Sequence, residues 1–536
     1  MKLRRLVSRA LFVALSLSAT ASAADLYVAP NGRSGNAGTS AAPLDRITSA
    51  LSRARPGDRV LVRAGTYPGG GWINAQGTAA APITVLSVDG PRRAIIEGAE
   101  ESLRIGEGAA YLVFDGLEIR RSGNNVVHID GGAHHIWLRN VYAHHAGQDG
   151  DVVKVNQARS IYLERSEFAF PGARDDSENP SQECIDFVHT DDAVVRDSYI
   201  HDGGNSMMYA KGGSRGVLFE RNVITGQRAG AVDPMVGLGA VTDSSLLDGQ
   251  DFEAIDVVFR NNVVIGGVGG AIGVYDGRNV AIANNLFVNN SGGYVEFRAG
   301  SGPLERSENV SIANNLFVDL RGRMPTTFRR SNHGLNNFTT SHNLFWNNGS
   351  SVPSSPLINL AAQPGHLVAD PGVRVPATLG DRAAVVAALM PAMGGPASSS
   401  GLNTAVAPYL ALDDIRGLRR NGRNDRGPWF LGVVAPTSTP DAGVVVTPPR
   451  DAGTVIPPRD AGAAARDAGV TADDDAGPDD KQPPVTVDAG DEAQGESATA
   501  LRGEVQCSAR PGASGGPWGL AVAGLLSCAL RRRRRR

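Results

Sequence analysis

The sequence predicts an all-β fold, a parallel β-helix built as a solenoid, and three observations carry that expectation. A degenerate unit recurs along the middle of the chain: alternating β-branched residues, then Asn or Ser, then two or three apolar residues, as in HIWLRNVYA, SIYLERSEF, DVVFRNNVV and NVAIANNLF. Its polar marker falls at Asn140, Ser166, Ser198, Asn222, Asn262, Asn285, Asn315 and Asn343, at intervals of 26, 32, 24, 40, 23, 30 and 28 residues. A basal period near 23–26 with occasional insertions marks a solenoid. The alternation has period two, so the repeating element is strand. Glycine supplies 66 of the 536 residues and aromatics only 6%, without a Gly-X-Y period, which fits many tight corners and excludes collagen. The Asn column reads as structural, a ladder of side-chain amides satisfying the turn backbone.

The elements follow in order. Met1–Ala23 has a basic start, a short apolar run and Ala21-Ser22-Ala23, the pattern of a cleaved export leader. Residues 24–433 form the solenoid domain. It opens with a strand, a loop, an amphipathic helix over Leu44–Ala54 that caps the end of the coil, a turn at Pro56-Gly57-Asp58 and a second strand. After Asn343 the alternation fades. A helical run over Arg382–Met390 and the segment 412–432 are expected to fold back over the last coil. Residues 434–506 are rich in Pro and repeat Asp-Ala-Gly, and with so little large apolar content they read as a disordered, extended linker. Residues 507–536 hold Cys507, a short hydrophobic tail and six terminal arginines.

Composition narrows the partners. Eleven of the 52 Lys and Arg lie in the two terminal segments, which have no acid, so the rest of the chain sets 41 basic residues against 55 acids. So acidic a chain excludes a nucleic-acid partner, because phosphate binding needs a basic surface. Only the tail has any reach into a membrane. The three cysteines, Cys184, Cys507 and Cys528, exclude a disulfide scaffold, and Cys184 is expected to be a buried free thiol. The expected state is an exported monomer, displayed at the cell surface or released.

Lysine usage points to the chemistry. The chain has four lysines, and only Lys154 and Lys211 lie in the repeats. Arginine keeps its proton, whereas lysine releases one when its environment favours the neutral form. Both lysines sit beside acids on neighbouring coils: Asp149-Gly150-Asp151-Val152-Val153-Lys154, then Glu183-Cys184-Ile185-Asp186, then Lys211-Gly212-Gly213. Asp186 to Lys211 is 25 residues, one coil, so parallel stacking sets these segments roughly 5 Å apart. Asp149, Asp151, Glu183, Asp186 and Lys211 then share a face. Hard carboxylate oxygens suit calcium. Arg196, Arg215 and Arg221 are candidates to bind substrate carboxylates, or else solvated strand charges, and His189 and His201 border the cluster. His134-His135 and His144-His145 are weak candidates for zinc, because neighbours on a strand face opposite ways. Asp191-Asp192 is the only nearby carboxylate pair of the kind a glycoside hydrolase needs.

The N-terminal stretch LYVAPNGRSGNAGTSAAPLDRITSALSRARPGDRVLVRAGTY resembles the start of secreted right-handed β-helix proteins of the pectate-lyase-like superfamily. The three lysine-acid segments resemble the site of polysaccharide lyase family 9, calcium-dependent pectate lyases with an Asp-Gly-x-x-x-Lys coil, an Asp-Asp-Gly-Trp-Asp-Leu segment and a later lysine before a glycine pair. The resemblance implies Asp149, Glu183 and Asp186 as calcium ligands and Lys211 as the base; read from the residues themselves, Asp151 is a further candidate ligand, and Lys154, Arg215 and His189 are candidates to face substrate. Here Gln182-Glu183-Cys184-Ile185-Asp186 replaces the family's acidic segment, so one aspartate is a glutamine and Gly-Trp is Cys-Ile. The implied reaction is β-elimination on an acidic, uronate-containing polysaccharide. Family 6 alginate and chondroitin lyases, which use a lysine and an arginine, are a second resemblance: Lys154 suits their lysine, but no Arg-His-Gly follows. The alternative class is a non-catalytic surface protein that binds glycan or another cell surface. The C-terminal arrangement resembles the MYXO-CTERM sorting tag, which implies processing near Cys507.

Overall fold

In the computed structural model the described residues are 23–432, apart from 173–181, 361, 399, 403–408 and 424. The leader up to Ser22, the linker and the tail with Cys507 lie outside them. The domain is a right-handed parallel β-helix of three long sheets, here sheets A, B and C, with 13, 12 and 10 strands. One coil shows the plan. His134–Arg139 lies in sheet A, Tyr142–His144 in sheet B and Val153–Asn156 in sheet C, and Arg159–Glu164 returns to sheet A beside its starting strand. Every strand pairs in parallel with its counterpart one coil on, so residues in register form straight columns.

Alternation along each strand sends one set of side chains into the cylinder. Phe219, Phe259, Phe287, Phe317 and Phe345 stack there ring above ring, with neighbouring centroids 5.1–6.4 Å apart. The first end is closed by helix α1 (Ile47–Leu51), shorter than the sequence suggests, which buries Ile47, Ala50 and Leu51. At the other end Val352, Leu357, Ile358 and Leu360 pack on the core.

From the coil that holds His134–Arg139 onward the A-to-B corner is two residues wide, and its first residue takes a left-handed conformation at Asn140, Arg165, Asp197, Arg221, Asn261, Asn284, Asn314 and His342, with φ between 50 and 58°. The buried ladder occupies the next position. The backbone N–H of Val141 donates to Ser166 Oγ, that of Ser166 to Ser198 Oγ, and that of Ser198 to Asn222 Oδ1. Asn262, Asn285, Asn315 and Asn343 continue it at 2.8–2.9 Å per step. The expected column is therefore correct from Ser166 onward and one residue out at its first member. Asn140 is a left-handed corner whose amide donates to Asp115, and the column position belongs to Val141.

The helical run and the 412–432 segment do not fold back over the last coil. The described residues of 367–432, including helix α2 (Arg382–Ala388), run along the flank and bury Val385, Val386, Leu389, Ile415 and Trp429 against the outer face of sheet B. The left-handed corners anchor this strap: Asn261 Nδ2 donates to Asp413 O, Asn284 Nδ2 to Asp425 O, and Gly427 N to Asn314 O.

A candidate lysine-carboxylate centre

The site sits on the outer face of sheet C. In parallel register Lys154 lies beside Asp186, Asp186 beside Tyr209, and Val188 beside Lys211. Lys154, Asp186 and Tyr209 thus form one outward column, and Lys211 stands in the next. Asp151 and Glu183 enter from the B-to-C corner, just ahead of their strands. Asn125 Oδ1 fixes Asp151 by accepting its N–H at 2.8 Å, and Glu183 N–H donates to Asp151 Oδ1 at 3.0 Å.

Asp151, Glu183 and Asp186 each offer an oxygen within 4.8 Å of the others, and all three are buried. Among the described residues this is the one group of three or more His, Cys, Asp or Glu side chains so gathered. Asp186 is the hub. Lys154 Nζ bonds its Oδ2, and Lys211 Nζ lies 3.2 Å from the same atom. Lys154 Nζ is also 3.3 Å from Asp151 Oδ2. Lys211 packs over the Tyr209 ring with Nζ 4.6 Å from its centroid, close enough for a cation–π contact.

Burial pushes the Glu183 carboxyl well above the usual carboxylate range, and the charges of Asp151 and Asp186 push it further. Burial raises Asp151 too. It works in the same direction on Asp186, but the two lysines outweigh it and hold that carboxyl below its ordinary value. Burial disfavours the Lys154 ammonium, yet Asp186 and Asp151 more than offset this, so Lys154 is a fixed cation. Asp186 Oδ1 is buried without a hydrogen-bond partner. Three packed carboxylates with an orphan oxygen and a strongly raised acid are a site short of positive charge, and hard oxygen donors of this kind fit a divalent cation.

The remaining expected residues lie elsewhere. Asp149 stands in the preceding turn with φ +59°, exposed and outside the group of three. His189 and Arg215 sit round the C-to-A corner against the 239–253 loop, where His189 Nδ1 is 3.2 Å from Leu246 O and Arg215 donates to Gln250 Oε1 at 3.0 Å. Arg196 pairs with Glu164 and Arg221 with Asp197, on sheet A and its corner. His201 pairs with Glu167 and Asp202 on sheet B. Cys184 is buried and free, as expected. The paired histidines do not face opposite ways. His135 and His145 take left-handed backbone, which turns each toward its neighbour, with Nδ1 atoms 3.0 and 2.5 Å apart.

Sequence reasoning passed over Tyr209 and Gly237. Tyr209 is two residues before Lys211, so period two puts it on the same face. A Cβ at Gly237, its partner one coil on, would lie 2.4 Å from Tyr209 Cδ1, so the glycine lets the ring lie flat.

Fold and site together define a right-handed β-helix with a buried lysine-carboxylate centre on one outer sheet. Residues 26–170 match the family model described as Pel9A-like, right-handed β-helix region, and 105–317 match that of the right-handed β-helix region. Over 97 residues the chain is 35% identical to pectate lyase PEL9 of Emericella nidulans, covering 18% of this chain and 23% of that protein. The chain thus spans about a quarter of the length of the curated relative it matches. The crystal structure of pectate lyase Pel9A aligns with a TM-score of 0.51 and 16% identity over 76% of this chain and 96% of that one, which shows a shared fold.

Proposed function

We propose that this protein is an exported polysaccharide lyase that cleaves an acidic, uronate-containing glycan by calcium-assisted β-elimination. The observation that carries the reading is the arrangement of Lys154 and Lys211 about one buried carboxylate, Asp186, beside Asp151 and Glu183. The curated relative and the Pel9A-like match support the substrate class, and the leader at 1–23 supports export.

Asp151, Glu183 and Asp186 would hold calcium, with Asp186 Oδ1 as its unshared donor. Held there, calcium would supply the positive charge that neutralises the uronate carboxylate and acidifies the proton on the adjoining carbon. The two lysines divide the remaining work. Lys154, held charged by two acids, binds and orients the substrate carboxylate. Lys211 Nζ acts as the base and takes the proton from C5. The electron pair left behind forms the C4–C5 double bond as the C4–O bond breaks, and the departing oxygen is protonated from solvent. Tyr209 supports Lys211 from below and limits the positions its Nζ reaches.

The test incubates the full chain with polygalacturonate, alginate and chondroitin, in calcium or chelator, and follows the ultraviolet absorbance of the unsaturated product. A calcium-dependent rise on one polymer that Lys211→Ala abolishes supports the proposal. A flat trace on all three from folded protein overturns the elimination.

A further inference from the structure

We infer that Trp72 is a sugar-stacking platform, a binding subsite for the same acidic glycan on the side of the centre toward the N-terminus. This inference rests on the lyase reading and names where the chain of sugars runs. Trp72 is 54% exposed, and it is the one aromatic among the large apolar side chains that the described residues leave in solvent. Its neighbour Ile73 points into the core, so period two turns Trp72 outward on sheet C. Register ties it to the site: Trp72 pairs with Arg104, Arg104 with His128, and His128 with Lys154. Trp72 and Lys154 are therefore members of one column, three strands apart, a span of ~14 Å that a short oligosaccharide covers.

The ring is held in place. One edge rests over Gly106, where a Cβ would meet Trp72 Cε3 at 2.1 Å. The Arg104 guanidinium stacks 3.7 Å from the ring centroid. Arg104 is in turn fixed by Glu101 Oε2, 2.9 Å from its Nε at an angle short of a hydrogen bond, and by Asp130. An exposed indole with its orientation set from two sides offers a rigid apolar surface to the C–H face of a pyranose at little conformational cost. Between Trp72 and Lys154 the floor is polar. His128 bonds Glu101 and accepts from Asn156 Nδ2 at 3.2 Å, so hydroxyl-bearing rings find hydrogen-bonding groups along the way.

The experiment compares wild type, Trp72→Ala and Trp72→Phe on the responsive polymer and on its trimer, with thermal melts to confirm folding. Trp72→Ala is expected to lower kcat/KM on polymer about fivefold and to leave the trimer, bound at the lysines, unchanged, while Trp72→Phe restores most of the polymer activity. An equal effect on trimer and polymer, or none on either, overturns the platform while the lyase reading stands. If wild type eliminates none of the three polymers, the lyase reading fails, and retardation in native gels cast with each polymer tests the platform alone. Retardation that Trp72→Ala loses and Trp72→Phe keeps supports it. Retardation that the two variants leave unchanged, or none in wild type, overturns it.

Discussion

At the scale of single residues, the two lysines differ by environment and not by type. Lys154 sits against two acids and Lys211 against one acid and an aromatic face. Lys211→Arg separates charge from proton transfer: arginine preserves the cation but cannot give up its proton. Elimination is expected to fall ~10²–10⁴-fold in Lys211→Arg, much as in Lys211→Ala, at unchanged folding. A second buried carboxyl contributes to the response to pH. Asp276 lies beneath the coils that follow Lys211, and its Oδ2 accepts from Gly300 and Gly302 N–H. Burial, the largest cause, raises it to about 6. A folded-state value above the unfolded one favours folding below the unfolded value and loses that contribution as pH rises through about 6. Melts should therefore show wild type losing stability between about pH 4 and 6 relative to Asp276→Asn, by ~2 kcal/mol at most. Parallel curves would contradict this.

The corner is the element that organises the coil. Each ladder amide serves two neighbours: Asn285 Oδ1 accepts from Asn262 N–H and Nδ2, while its own Nδ2 donates to Phe259 O and Asn315 Oδ1. Asn285→Ala strands a buried N–H and a buried carbonyl, at a cost of ~2–4 kcal/mol, and a depressed melting temperature is the measurement. This ladder was legible from the sequence because its interval and residue type repeat. Its first member was misplaced because Val141 occupies an Asn position and Asn140 precedes it. The buried acids and both lysines were legible too, since one coil length brought them into register. What period two hides is the left-handed residue. At His135 and His145 it reverses the expected facing, and at Asp149 it sets the carboxylate apart from Asp151 two residues later. Trp72 and Tyr209 escaped notice because one aromatic in a strand reads as core until its partner columns are known.

The whole molecule depends on its strap as much as on its coils. Trp429 is fully buried, and its Nε1 donates to Val386 O at 3.1 Å, so it pins the 412–432 segment to helix α2. Trp429→Ala is expected to cost ~3–5 kcal/mol and to free the strap first. Limited proteolysis read by mass spectrometry should then cut within 367–432 before any coil is lost; cuts in the coils first would count against a separable strap. The insertions show a related economy of design. From the strand Ala110–Asp115 onward the A-to-B corner keeps its width, whereas the B-to-C corner and the 239–253 loop carry the extra residues, and these are the borders of sheet C on which the site lies. The strap also gives the molecule a sense of time. Each coil joins the one before it across a few dozen residues, so the barrel can grow as the chain emerges. Arg382 must reach back 185 residues to Asp197 and 161 to the Arg221 carbonyl. These bonds form only after the coils exist to receive them. The strap is then a closing step, and until its last residues arrive the flank of sheet B is an unfinished surface.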